Sequence, residues 1–135
     1  MYQNTELDTP YGLLKKEKLL KIQEAEKLVI DDPEWKNFCF AQSTTDTSCS
    51  KTKSSLSPLT IFGGLDIAAA TQEEINTKFK EAIKAPSWEA MSAFYDSNVK
   101  IDNLNVTYIR SFFTLGGPLD VNGTRFTDKT DRPLE

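Results

Sequence analysis

The chain has 135 residues, of which 39% are hydrophobic, and its 16 basic and 20 acidic side chains give a formal net charge of −4. That length and apolar content suffice for a hydrophobic core, so we predict one soluble domain over residues 1–135. The negative charge disfavours nucleic acid as a partner, and no stretch approaches the run of about 18 apolar residues that a membrane-spanning helix needs.

The first predicted element is an amphipathic helix over residues 13–30. Its apolar residues recur at steps of three and four: Leu19, Ile22, Ala25 and Val29. Pro33 ends the helix, because the residue before a proline is disfavoured in helical geometry. Three aromatic residues follow and are expected to pack beneath this helix: Trp35, Phe38 and Phe40.

Residues 43–57 predict an exposed loop, because ten of the fifteen are Ser or Thr and such side chains compete for their own backbone hydrogen bonds. A short helical turn is expected to begin at Ser57-Pro58. Three apolar side chains are expected to anchor that turn: Leu59, Ile61 and Phe62.

Thr71-Gln72-Glu73-Glu74 is a capping box and predicts the start of a second main helix, which Ala85-Pro86 stops. Residues 87–95 fit either a short helix or a partly buried strand, and the interpretation we favour is a short helix or turn. Residues 105–115 predict the best strand, since β-branched and aromatic residues alternate along them. Residues 1–8 contain no convincing strand. The elements predict an α+β fold in which an antiparallel sheet is backed by two main helices.

Two cysteines flank the polar tract, and nothing between Cys39 and Cys49 prevents a disulfide. A disulfide implies an oxidising compartment, whereas two free thiols fit a cytosolic protein. The chain has no histidine, so a zinc site would need two carboxylates beside both thiols, and we expect neither a metal nor another cofactor. Catalytic motifs are also missing, and we expect no enzymatic activity.

Two N-glycosylation sequons favour the secretory pathway: Asn105-Val106-Thr107 and Asn122-Gly123-Thr124. Asn122 lies in a predicted turn and is the better acceptor. Asn105 is an acceptor only if its side chain faces water.

Four aromatic residues are candidates for an apolar ligand pocket: Trp35, Phe38, Phe40 and Phe62. A cluster of this kind is more often part of a hydrophobic core than of a binding site. Both interpretations are carried forward.

The order of these features resembles the first extracellular domain of Patched/Dispatched-like proteins, within the resistance-nodulation-division superfamily. The resemblance extends over most of residues 13–119. It is strongest at Phe38-Cys39 with Cys49 and SLSPLTIF (residues 55–62), and at YIRSFFTLGGPL (residues 108–119).

The resemblance implies a ferredoxin-like, porter-type α+β layer, incomplete in this chain, outside the membrane as a soluble fragment of a larger membrane protein. The family's cysteine pair maps to Cys39 and Cys49. The implied function is recognition of a lipid, a sterol or a protein ligand without catalysis, and the implied partner is the rest of the same membrane protein. Two alternatives stay open: a freestanding secreted binding module and a small cytosolic enzyme subunit.

Overall fold

The computed structural model describes residues 1–5, 10–40, 48–49 and 53–116. The elements in chain order are β1 (Tyr2–Gln3), α1 (Lys16–Ile30), α2 (Trp35–Phe38), α3 (Ser57–Thr60), α4 (Gln72–Lys84), α5 (Trp88–Met91), a 3₁₀ turn (Ser92–Phe94) and β2 (Tyr108–Ile109). The α+β class is confirmed. The sheet that the described residues form is a small antiparallel pair, β1 with β2.

The chain divides into two compact units. Unit 1 comprises Met1–Glu26 and Lys53–Ser111, and unit 2 comprises Lys27–Thr52 and Phe112–Glu135. The buried hydrophobic cluster belongs to unit 1, and its largest fully buried side chains include Phe79, Leu14, Leu19, Leu59 and Ile67.

Helix α1 begins at Lys16 rather than at the predicted residue 13. Leu13 and Leu14 are buried in the turn that precedes it, where the Leu13 N–H donates to the carbonyl of Val106 at 2.8 Å. Gly12 has a φ of 53°, outside helical geometry, and the Leu14 N–H donates to the carbonyl of Tyr11 at 2.9 Å, so a turn occupies this segment and the helix begins after it. The end at Ile30 agrees with the proline signal.

Helix α4 is the element that the sequence predicts best. The Glu74 N–H donates to Thr71 Oγ1 at 3.2 Å, and the Thr71 N–H donates to Glu74 Oε2 at 2.7 Å, which completes the capping box. These hydrogen bonds from Thr71 lower the pKa of the Glu74 carboxyl. The predicted helix-or-turn at residues 87–95 is also confirmed, by α5 and the 3₁₀ turn.

The predicted strand over residues 105–115 is wrong in extent, since only Tyr108–Ile109 forms a strand. The backbone changes partner along this segment: Val106 bridges to Gly12, and Leu115 bridges to Cys39. The prediction that residues 1–8 contain no strand is also wrong, because β1 lies there and Tyr2 pairs with Ile109. Side-chain alternation predicts an extended backbone but does not identify its partner.

Unit 1 contains a buried carboxylate that is hydrogen-bonded to serine hydroxyls. Glu26 lies on the inner face of α1 at 6% exposure, and its Oε2 accepts from Ser54 Oγ at 2.7 Å while its Oε1 accepts from Ser111 Oγ. Ser111 Oγ also lies 2.9 Å from Ser55 Oγ and accepts the Ser55 N–H at 3.0 Å. We call this group of Glu26 and the three serines the Glu26 cage.

The cage corrects the prediction of an exposed loop over residues 43–57 at its C-terminal end, whereas Ser48 and Lys53 are exposed as predicted. Residues 41–47 and 50–52 lie outside the described residues, but Ser55 has 0% exposure. The Tyr95 hydroxyl donates to the Ser55 carbonyl, and burial, with a smaller contribution from the Glu26 charge, raises the pKa of Tyr95. Ser55 stays inside because its hydroxyl bonds to Ser111 Oγ, whereas the hydroxyls of partly buried Ser54 and Ser111 bond to the Glu26 carboxylate.

Replacement of Ser111 with alanine should lower the free energy of unfolding by about 1–3 kcal/mol, because it removes a hydrogen-bond donor from a buried carboxylate. Urea unfolding followed by far-ultraviolet circular dichroism measures this change. Ser97→Ala is the matched control, because Ser97 is exposed. Equal stability of the two variants would show that the cage contributes nothing to unit 1.

Candidate apolar binding site

Unit 2 contains an open apolar groove of about 500 Å³. Its walls come from the end of α1, the segment that follows it, α2 and the residue that bridges to Cys39. The lining residues are Leu28, Val29, Asp32, Glu34, Trp35, Phe38 and Leu115. We call it the Trp35 groove.

A tight turn between α1 and α2 positions Trp35 in the Trp35 groove. Asp32 Oδ1 accepts the Glu34 N–H at 2.8 Å, a local bond that redirects the chain after α1. The Trp35 ring then packs edge-on against Phe113, with 5.9 Å between the ring centroids. Trp35 is therefore fixed from two sides, by its backbone turn and by an aromatic neighbour.

A disulfide anchors the opposite wall. Cys39 and Cys49 are bonded with their Cα atoms 5.4 Å apart, which confirms the disulfide that the sequence allowed and the family resemblance implied. The Phe40 N–H donates to the carbonyl of Thr114 at 2.9 Å. Leu115 is thereby positioned on the segment that pairs with the disulfide-bearing one.

The groove residues are exposed although they are apolar. Phe38 is 52% exposed and Leu115 is 66% exposed, and Leu28 and Phe40 are exposed as well. The prediction that the aromatic residues pack beneath the first helix is therefore wrong for Phe38 and Phe40. Helix α2 is too short to bury a full face, since it is one turn long.

The structure brings together two of the four aromatic residues predicted to bind a ligand. Trp35 and Phe38 line the groove, whereas Phe40 follows the disulfide without lining it. Phe62 belongs to unit 1, where it is 67% exposed beside exposed Ile61. The predicted anchoring of α3 is confirmed for Leu59, which is buried, and is wrong for Ile61 and Phe62, while Pro58 is a second buried anchor.

Sequence reasoning missed the three aliphatic members of the groove, Leu28, Val29 and Leu115. Leu28 and Val29 are adjacent, so a helix cannot direct both toward one narrow apolar face. The extra apolar residue at the end of α1 was the sequence feature that could have predicted this part of the groove. Leu115 carried no separate signal, since it continued the apparent strand.

The structure describes the asparagine of one of the two sequons. Asn105 is exposed, so its side chain meets the condition of facing water. Its backbone N–H donates to Asn103 Oδ1 at 3.1 Å. Asn122 lies outside the described residues. Glycosylation of either asparagine stays a prediction.

Within the described residues, no group of three or more Cys, Asp or Glu side chains is arranged to hold a metal ion. The same part of the chain contains no helix whose length and apolar character would let it cross a bilayer. The Glu26 cage does pair serines with a carboxylate, but Glu26 and Ser55 are buried and the four groups are bonded to one another, which is the arrangement of a structural network.

Comparison of the chain with protein-family models, curated proteins and solved structures found no match in any of the three. The Trp35 groove and the disulfide are therefore the features from which a function is inferred.

The disulfide should account for about 3 kcal/mol of stability in the chain-entropy description, given its sequence separation of 10. Denatured, unreduced protein should contain no titratable thiol, and reduction should release two. The fluorescence of Trp35 gives a second measurement. In a Trp88→Phe background, where Trp35 is the only tryptophan, the double variant Cys39→Ala/Cys49→Ala should shift the emission of Trp35 to the red. Two thiols in the unreduced protein would contradict the assignment.

Proposed function

We propose that this chain is a non-catalytic binding domain on the extracellular or lumenal side of a membrane, and that the Trp35 groove recognises an apolar ligand. The observation that carries the proposal is the concentration of exposed apolar side chains around the groove. Leu28, Phe38 and Leu115 all lie there, and all are exposed.

Exposed apolar residues scattered singly need no functional explanation, but a contiguous group in a concave surface favours binding. The groove volume of about 500 Å³ lies in the range of ligand pockets, about 300–1,000 Å³. Its apolar walls include one aromatic side chain, Trp35, that is already fixed by Phe113. A wall that is ordered in advance reduces the entropy lost on binding.

The disulfide supports the location. A disulfide between Cys39 and Cys49 is compatible with an oxidising compartment and disfavours the alternative of a small cytosolic enzyme subunit, because the cytosol keeps thiols reduced. A freestanding secreted binding module would share this chemistry.

In the proposal's more specific form, the chain is one extracellular domain of a Patched/Dispatched-like membrane protein, and its partner is the rest of that protein. The antiparallel pair β1 and β2, with α1 and α4, is then part of a porter-type layer. The ligand class that this form favours is a lipid or sterol.

A neutral pyrene-labelled alkyl alcohol and a fluorescent sterol are suitable probes of the groove. Phe38→Asp should weaken binding of the accepted probe by about tenfold or more, because a charge replaces apolar contact area. Phe62→Asp is the matched control, since Phe62 is similarly exposed but belongs to unit 1. Equal affinities of the two variants, measured by fluorescence titration, would count against the groove as the binding site.

Expression through a eukaryotic secretory pathway should attach a glycan to Asn105, because the sequon side chain is exposed. Asn105→Gln should remove one glycosidase-sensitive step in electrophoretic mobility. Asn103→Gln is the control, because Asn103 is exposed but lies outside any sequon. Secreted protein that shows no change in mobility with Asn105→Gln would rule out this modification.

A further inference from the structure

We propose that the Trp35 groove selects single-chain amphiphiles that carry a cationic head group, such as an alkylammonium. This inference rests on the proposed function and specifies its ligand class. The apolar wall would contact the alkyl chain, and acidic side chains at the rim would contact the head group.

The charges that line the groove are both negative. Asp32 and Glu34 are its charged lining residues, and neither Lys nor Arg is among the residues of that lining. Both acids are exposed, so they lie where a ligand's polar end would meet solvent. An apolar wall beneath two carboxylates matches a molecule with one apolar end and one positive end.

Neither rim carboxylate is neutralised by a cation within the described residues. Asp32 Oδ1 accepts the Glu34 N–H, and Glu34 Oε2 accepts from Asn37 Nδ2 at 3.1 Å. Each carboxylate thus keeps one oxygen for a further donor. By contrast, the neighbouring acid Asp31 is already paired with Lys27.

Trp35 adds a second source of preference for cations. An indole ring attracts an ammonium group through its negative face, and tryptophan does so best among the aromatic side chains. Trp35 lines the same groove as the two acids. An ammonium head at the rim would therefore meet two carboxylates and an indole, whereas a sulfate head would meet repulsion from both acids.

Isothermal titration calorimetry with dodecylammonium, dodecyl maltoside and dodecyl sulfate, each kept below its micelle concentration, tests the inference. Dodecylammonium should bind about 5- to 20-fold more tightly than the neutral maltoside, since exposed charge pairs contribute modestly. Dodecyl sulfate should bind most weakly. Raised salt should reduce the difference because the rim acids are exposed to solvent.

The variant Asp32→Asn/Glu34→Gln should lower the ratio of dodecylammonium affinity to dodecyl maltoside affinity to the part that Trp35 supplies, because both carboxylate charges are removed. The control Glu73→Gln/Glu89→Gln removes the same charge from exposed positions in unit 1 and should keep the preference. Emission of Trp35 in the Trp88→Phe background should change on binding, which places the probe in the groove.

The outcomes separate this inference from the proposed function. Equal affinity for ammonium and maltoside overturns the head-group preference but leaves an apolar site. An affinity ratio that is unchanged in Asp32→Asn/Glu34→Gln overturns the role of the rim acids. Failure of all three amphiphiles to bind overturns the proposed function as well.

Discussion

The Cys39–Cys49 disulfide is the constraint on which the architecture of unit 2 depends. Among the described residues of that unit, Cys39 is the one hydrophobic side chain that is buried. A segment without a core of its own cannot offset its conformational entropy by burial alone, and a covalent crosslink lowers that entropy cost. The apolar side chains of unit 2 are thereby left free to line an open groove.

Unit 1 offsets its loss of conformational entropy by burial and by hydrogen bonding. Its core surrounds Phe79 and Ile75, and the Glu26 cage joins positions at the ends of its chain segments, since Glu26 and Ser111 are the last residues of theirs. A buried carboxylate that accepts from Ser54 and Ser111, with Ser55 bonded to Ser111 in turn, is a demanding choice because each hydroxyl must stay in place. Stability therefore rests on different chemistry in the two units.

The sequence predicted the features that have local causes. The capping box of α4 and the proline that ends α1 both follow from residues near in sequence. The pairing of β1 with β2 does not, because register depends on distant partners. Gly12 shows the difference: a Cβ there would lie 2.2 Å from the Val106 carbonyl oxygen, so its glycine is required by a contact that the sequence does not display. In the Trp35 groove, the sequence indicated the aromatic lining residues but not the aliphatic ones, Leu28, Val29 and Leu115.

The turn that builds the groove also gives it charge, and the two roles have different chemical requirements. The bond from the Glu34 N–H needs only an oxygen acceptor on residue 32, which asparagine supplies as readily as aspartate. Glu34 likewise bonds Asn37 through one oxygen, which glutamine also has. The fold is therefore satisfied by neutral side chains at both positions. Two acids beside an apolar wall, without a cation to neutralise them in the described residues, exceed what the turn requires, and the proposed recognition of a positive head group would account for the excess.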